Sequence, residues 1–144
     1  TNGIYLGGTG SANYLEDYEE GTWTPALTIG GSATGITFGA QTGTYRKIGK
    51  FVFAQCGLAL SSKGTNSGNV NITGFPFVFG NNNSYSENIS STIFSLNTIG
   101  GPFYAIIRGG AELPLRIVGS LNRVGDSNLS DTAEFIFYMA YYIN

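Results

Sequence analysis

Short segments with apolar side chains at every second position dominate this chain, and turn-forming residues separate them roughly every 8 to 15 residues. Glycine, asparagine and serine supply the turns, as in Gly64–Gly68 and Gly125–Asn128. No stretch has the 3.6-residue period of a long helix. The alternation predicts an all-β fold with strands near Thr22–Ile29, Ile36–Ile48, Phe51–Ser61, Asn69–Thr73, Ile89–Asn97, Phe103–Arg108, Leu115–Leu121 and Ala133–Ile143.

The number of predicted strands narrows the architecture. About eight strands within some 120 residues are typical of an antiparallel β-sandwich, a jelly roll or a small barrel. A length of 144 residues fits one domain with one core. The second and third predicted strands are separated only by Gly49 and Lys50, and so short a connection predicts a β-hairpin.

The first 21 residues differ in composition from the rest. Thr1–Ala12 is rich in glycine, and Glu16–Glu20 contains four of the nine acidic residues of the chain. The sequence also begins without a methionine, which suggests a fragment of a longer protein. We therefore expect residues 1–21 to be a connector from an upstream part and residues 22–144 to form the β domain. The acidic cluster lacks the alternating ligand spacing of an EF-hand loop, so a solvated hinge is favoured over a calcium site.

Missing residue types exclude several kinds of chemistry. The chain has no histidine and a single cysteine, Cys56. Ser-His-Asp and Cys-His catalysis, histidine metal sites and zinc sites of several cysteines are therefore excluded, and we expect neither a metal nor a cofactor. Cys56 lies in an apolar run, which predicts a small buried side chain rather than a reactive thiol.

The charge and hydropathy of the chain also limit its partners. The formal net charge is −2, so the chain is not a general binder of nucleic acids. No apolar run approaches the roughly 18 residues that span a membrane. We expect no nucleic-acid partner and no membrane insertion.

Two predicted strands have apolar residues on both faces. In Phe51–Leu60, every second residue from Val52 to Leu60 belongs to one apolar face, and the opposite face begins with Phe51 and Phe53. In Glu134–Ile143, both faces are apolar or aromatic: one has Phe135, Phe137, Met139, Tyr141 and Ile143, and the other has Ile136, Tyr138, Ala140 and Tyr142. A sandwich strand of a monomer normally has one polar face, so this pattern predicts burial against identical copies. The alternatives are a central strand of a larger closed barrel, or aromatic residues covered by loops of the same chain. The candidate interface residues are Trp23, Phe51, Phe53, Tyr138 and Tyr142.

Three landmarks resemble a known module. The first is Gly3–Gly10 followed by Asn13–Pro25, which ends in Glu-Glu-Gly-Thr-Trp-Thr-Pro. The second contains Tyr-Arg-Lys-Ile-Gly at Tyr45–Gly49, and the third is Ile72–Phe77. Together they resemble the module at the C-terminal end of bacteriophage and prophage tail fibres and tailspikes. The resemblance covers about the first half of the chain. Phe75 stands where a smaller aliphatic residue is expected, and Val78–Asn144 agrees only in general character.

The resemblance implies a fold and a role. It implies an antiparallel β-sandwich of jelly-roll type that forms a homotrimer at the distal tip of a fibre. Such a domain would be made in the bacterial cytoplasm and would end in the virion, at the distal end of the tail. Its partners would be two further copies of itself and a bacterial surface glycan, such as lipopolysaccharide or capsule. The resemblance transfers no binding residue to this chain.

Candidate glycan-binding residues come from the chemistry of sugars. Aromatic rings stack on C–H patches, while amides and guanidinium groups contact hydroxyls and acidic substituents. Ordinary turn chemistry and structural ion pairs are the alternative explanations for each candidate. The candidates are Asn82, Tyr85, Tyr104, Arg108, Arg123 and Asp126.

A catalytic role is not expected. Glycoside hydrolysis needs two carboxylates about 5–10 Å apart. Only five acids lie outside the connector, and no two of them form a recognisable pair. The sequence thus favours a non-enzymatic tail domain that trimerises the fibre and binds host polysaccharide. Two alternatives stay open, namely a purely structural trimerisation cap and a carbohydrate-binding module of a bacterial enzyme. The five acids are Glu87, Glu112, Asp126, Asp131 and Glu134.

Overall fold

The computed structural model describes residues 3–15, 17–80, 91–105, 110–120 and 122–143. Within these ranges the chain forms strands and two short 3-10 turns, at Ser11–Asn13 and Asp126–Asn128, and none of its helices is long and apolar enough to cross a membrane. The strands are β1 Ile4–Tyr5, β2 Tyr14–Leu15, β3 Tyr18–Trp23, β4 Ala26–Ile29, β5 Thr37–Ile48, β6 Phe51–Ser62, β7 Val70–Thr73, β8 Ser91–Thr98, β9 Phe103–Ala105, β10 Leu113–Ile117 and β11 Leu129–Tyr142.

The prediction of an all-β, antiparallel fold is confirmed. Every strand pair within the described residues is antiparallel. The expected hairpin joins β5 and β6, where Ile48 is paired with Phe51 and Gly49 adopts a positive φ of 56°. Such a backbone conformation suits glycine because it has no Cβ.

Three strand boundaries differ from the prediction for physical reasons. The predicted strand Thr22–Ile29 is two strands, because Pro25 has no amide hydrogen to continue the ladder. The last strand begins at Leu129 instead of Ala133, because a bulge before Glu134 interrupts the alternation. β10 is shifted towards the N-terminus and ends at a turn that contains Gly119, whose φ is 79°.

One sheet wraps around one core. The nine larger strands are hydrogen-bonded in the order β3-β5-β6-β11-β8-β9-β10-β7-β4, while β1 and β2 pair separately. The two edge strands, β3 and β4, are consecutive in the chain and are joined only by residues 24 and 25. Trp23 of β3 and Leu27 of β4 belong to the same buried cluster. The sheet therefore curves back until its two edges share a single interior.

The interior is filled by one face of each strand. On β6 the buried residues run at every second position from Val52 to Leu60, and on β11 from Leu129 and Ala133 to Tyr141. Cys56 lies within this series with 5% of its surface exposed, as the sequence predicted. Its burial raises the pKa of the thiol, because a thiolate is poorly solvated there. The thiol is thus a packing group at neutral pH.

The acidic segment that precedes the β domain contacts that domain directly. β3 includes residues on both sides of the predicted boundary at residues 21 and 22, and it pairs with β5 over its whole length. Lys47 is 6% exposed, and its Nζ lies 2.5 Å from Oδ2 of Asp17 and 5.7 Å from the centre of the Phe77 ring. Burying a lysine requires such a partner, since an unpaired buried charge is costly.

Truncating the core on β11 should strongly destabilise the fold. Phe137 is 0% exposed and its ring centre lies 6.3 Å from that of Trp23, so Phe137→Ala removes contacts and leaves a cavity. We expect a loss of about 3–5 kcal/mol in the free energy of unfolding, measured by urea denaturation. Ile99→Ala is the control, because Ile99 is 62% exposed and its loss should change the free energy by no more than about 0.5 kcal/mol. Equal effects of the two variants would contradict the assigned core.

Candidate functional site

The outer surface of β6 and β11 is an aromatic face, which we define as Phe51, Phe53, Ile136, Tyr138 and Tyr142. The strands are in register, with Phe51 opposite Tyr142 and Phe53 opposite Ala140. Phe53, Ile136, Tyr138 and Tyr142 are between 37% and 45% exposed. The rings of Phe51 and Tyr142 contact each other edge to face at 5.3 Å. Large apolar side chains thus remain in contact with water on the outside of the sheet, which is typical of interaction sites.

A groove interrupts this aromatic face at Gly57. Gly57 lies opposite Ile136 on one side and Thr42 on the other, and it has no side chain to fill the space between them. A Cβ added at Gly57 would lie 3.3 Å from Oγ1 of Thr42. The groove has a volume of about 260 Å³, and its lining includes Gln55 and Tyr138. It has room for a side chain from outside.

Trp23 lies inside the chain. It is 8% exposed, and its ring centre is 5.0 Å from that of Phe75. Its Nε1 donates a hydrogen bond of 3.3 Å to the carbonyl oxygen of Thr44. The indole also lies directly over Gly43, where an added Cβ would come within 2.6 Å of it. Trp23 therefore packs in the core of its own chain, and little of its surface is left for a neighbour.

A second outer surface has a different character. We define this arginine face as Asn71, Tyr104, Glu112, Arg116 and Arg123. Tyr104 is paired with Arg116 across β9 and β10, and Arg116 is paired with Arg123 in an isolated bridge. Paired residues point to the same side of a sheet, so the three side chains form a row. Leu115 and Ala105, which alternate with them, are buried in the core on the opposite side.

Hydrogen bonds order the arginine face. Asn71 is 9% exposed, and its Nδ2 donates to Oε2 of Glu112 at 2.7 Å. Nη2 of Arg123 donates to Oδ1 of the same asparagine. The hydroxyl of Tyr104 donates to the carbonyl oxygen of Ser120 at 3.2 Å, which sets the position of the ring. Beside this ring lies an open depression of about 510 Å³, lined also by Val118, Gly119 and Ser120.

Asp126 makes structural contacts. Its Oδ1 accepts hydrogen bonds from the backbone amide of Gly68 at 2.9 Å and from the hydroxyl of Ser67 at 3.3 Å. The Gly68 amide lowers the pKa of this carboxyl below its ordinary value. Nζ of Lys63 donates to the carbonyl oxygens of Asp126 and Leu129 at 3.0 and 3.1 Å. Together these groups connect the turn before β7 to the start of β11.

The structure brings some of the predicted site residues together. Tyr104 and Arg123 lie in one row with Arg116 between them, and Asn71 contacts Arg123 from the neighbouring strand. The sequence did not single out Arg116 or Asn71. Arg116 had a detectable signal, because it alternates with the buried Leu113 and Leu115 and so must face outwards. Three further candidates lie outside the described residues, namely Asn82, Tyr85 and Arg108.

Comparisons with known proteins identify a relative in fold. No family model matches the chain, and no curated protein matches it. Among solved structures, the crystal structure of the Dettilon tailspike protein superposes with a TM-score of 0.60 at 18% sequence identity. The match covers 88% of this chain and 24% of the tailspike chain. At this identity the comparison establishes a common fold, and this chain corresponds to about a quarter of the length of that tailspike.

The contacts of Asp126 predict a pH-dependent contribution to stability. The lowered pKa means that the ionised carboxylate stabilises the folded state at all pH values above 3.8, its ordinary pKa. This contribution disappears as the pH falls through the lower pKa of the folded state. Asp126→Asn should therefore be less stable than the wild type at pH 7, and the difference should shrink as the pH falls below 3.8. Urea denaturation of both proteins at pH 7 and pH 3 measures this, and a difference that is constant with pH would contradict it.

Proposed function

We propose that this chain is the C-terminal domain of a phage tail fibre or tailspike, that it forms a homotrimer, and that it binds a bacterial surface polysaccharide. The observation that supports it most directly is the fold shared with a phage tailspike over 88% of the chain. The landmark residues at Glu19–Pro25 and Tyr45–Gly49 support the same assignment. In this proposal the domain is part of the virion, at the distal end of the tail.

The aromatic face supports the trimer. Phe53, Tyr138 and Tyr142 each leave more than a third of their surface in water, and burying that remainder would gain roughly 0.5–1.4 kcal/mol for each side chain. Identical copies are an economical way to cover such a face, because a closed symmetric assembly buries the same patch in every subunit. The groove at Gly57 offers space for a side chain of a neighbouring copy. A jelly-roll arrangement of the wrapped sheet is part of the same proposal.

The arginine face supports polysaccharide binding. A tyrosine ring fixed by its hydroxyl offers a surface on which a sugar can stack. Arg116 and Arg123 lie beside this ring, and guanidinium groups bind sugar hydroxyls and acidic substituents. The aromatic face and the arginine face lie on different strands, so both roles can be performed at once.

The proposal includes no catalytic step. Of the four acids outside the connector that the structure describes, three accept structural hydrogen bonds. Glu112 accepts from Asn71, Asp126 from Gly68, and Asp131 from the backbone amide of Lys63. A general acid in a glycosidase needs a raised pKa, whereas the pKa of Asp126 is lowered.

The trimer predicts a mass and a way to disrupt it. The wild type should sediment at three times the 15.2 kDa of one chain. The double substitution Phe53→Lys and Tyr138→Lys should shift the mass to that of a single chain, because two charges would have to be desolvated in the interface. Ile99→Lys is the matched control, since Ile99 is 62% exposed and lies outside the aromatic face. A wild type that sediments as a single chain would overturn this part of the proposal.

Polysaccharide binding can be tested on a panel of purified capsular and O-antigen polysaccharides. We expect the wild type to bind at least one member without releasing new reducing ends, and Tyr104→Ala to bind about tenfold more weakly, because the stacking surface is lost. The control is Tyr5→Ala, since Tyr5 is 52% exposed and lies on β1. A trimer that binds no member would support the purely structural cap. A monomer that binds would support the carbohydrate-binding module, and reducing-end release that a substitution in the acids abolishes would support an enzyme.

A further inference from the structure

We propose that the arginine face selects acidic sugars, meaning sugar units with a carboxylate, in preference to neutral ones. This inference rests on the proposed polysaccharide binding and specifies its ligand class. It does not depend on the candidates outside the described residues.

The row of side chains has the dimensions of a small-sugar site. Tyr104, Arg116 and Arg123 occupy directly opposed positions on neighbouring segments of chain. Neighbouring strands are about 4.8 Å apart, so the backbone positions of Tyr104 and Arg123 are about 10 Å apart. A sugar ring that stacks on Tyr104, or sits in the depression beside it, therefore brings its substituents to the two arginines. The Tyr104 ring contacts the C–H groups of the sugar, and the two arginines face the substituents of the sugar ring.

The charge of this row favours an anion. The arginine face holds two guanidinium groups and one carboxylate, although the whole chain has a net charge of −2. Glu112 is held by Asn71 at 2.7 Å, and the same asparagine accepts a hydrogen bond from Arg123. Asn71 thus separates the carboxylate of Glu112 from the guanidinium of Arg123. Among the described residues Arg123 forms no ion pair.

The chemistry of arginine favours a carboxylate in particular. A guanidinium group is planar and presents paired N–H donors that match the two oxygens of a carboxylate. Arg123 is exposed, and its Nη2 donates a hydrogen bond to Oδ1 of Asn71. That hydrogen bond to the nearly buried Asn71 holds the guanidinium in place before any ligand arrives. Preorganisation of this kind lowers the entropic cost of binding.

The test uses the full chain and the polysaccharide panel, with each acidic member in its native and its carboxyl-reduced form. We expect native acidic members to bind at least tenfold more tightly than their reduced forms, and the affinity to fall as sodium chloride is raised. Separate capsular and O-antigen preparations show which source supplies the acidic sugar. Equal binding of native and reduced forms, or binding of neutral members alone, would overturn acid selectivity while the proposed function stands. Failure to bind any member would overturn both.

Substitutions assign the selectivity to the arginine face. Arg116→Gln and Arg123→Gln should each weaken binding of a native acidic polysaccharide about tenfold and weaken binding of its carboxyl-reduced form much less, because only a neutral hydrogen bond to a hydroxyl is lost there. Arg123 is exposed, so Arg123→Gln should keep the fold; sedimentation and urea denaturation verify this. Lys50→Gln removes a positive charge from the β5–β6 turn and is the control for net charge. If the control weakens binding as much as the two arginine variants do, the selectivity arises from the net charge of the protein. Its assignment to Arg116 and Arg123 is then wrong.

Discussion

Aromatic packing between distant parts of the chain holds the wrapped sheet together. Trp23 lies on an edge strand, Phe137 on a central strand, and Phe75 in the loop after β7. Their ring centres are 5.0 to 6.4 Å apart, which is within the range of favourable aromatic contacts. Because these rings join the first strand of the sheet order to its middle, the sheet encloses one interior. The aromatic face and the arginine face, on the outside of the sheet, are not needed to fill this core and can contact other molecules.

The two outer surfaces differ because their strands differ in composition. The aromatic face lies on the long strands β6 and β11, where phenylalanine, isoleucine and tyrosine occupy the outward positions. The arginine face lies on the short strands around β10, where the outward positions hold arginine, asparagine and a hydrogen-bonded tyrosine. An apolar surface is suited to a permanent partner, whereas a charged one can remain hydrated until a ligand binds. This separation underlies the division between assembly and recognition in the proposed function.

The sequence predicted what depends on local pattern and missed what depends on contacts between distant segments. Alternation at every second position identified the buried face of β6 and β11 and the surplus apolar residues opposite it. It did not reveal that Trp23 packs on Phe75 and Phe137, because those residues are more than 50 positions away. Asn71 was missed for the same reason, since its partners Glu112 and Arg123 lie on other segments of the chain. A strand pattern shows on which side a residue lies and gives no information about its neighbours across the sheet.

The pairing of β3 with β5 has a mechanical consequence. The six residues of β3 are each paired with a residue of β5, starting with Tyr18 opposite Ile48. Backbone hydrogen bonds in an antiparallel pair run perpendicular to the strands. Tension applied along β3 from its N-terminal side would therefore shear all these bonds at once, whereas tension across the sheet would open them one after another. The Asp17–Lys47 ion pair stands just before the first of them and would bear such tension first. The pairing of β3 with β5 is thus arranged to resist tension applied along β3.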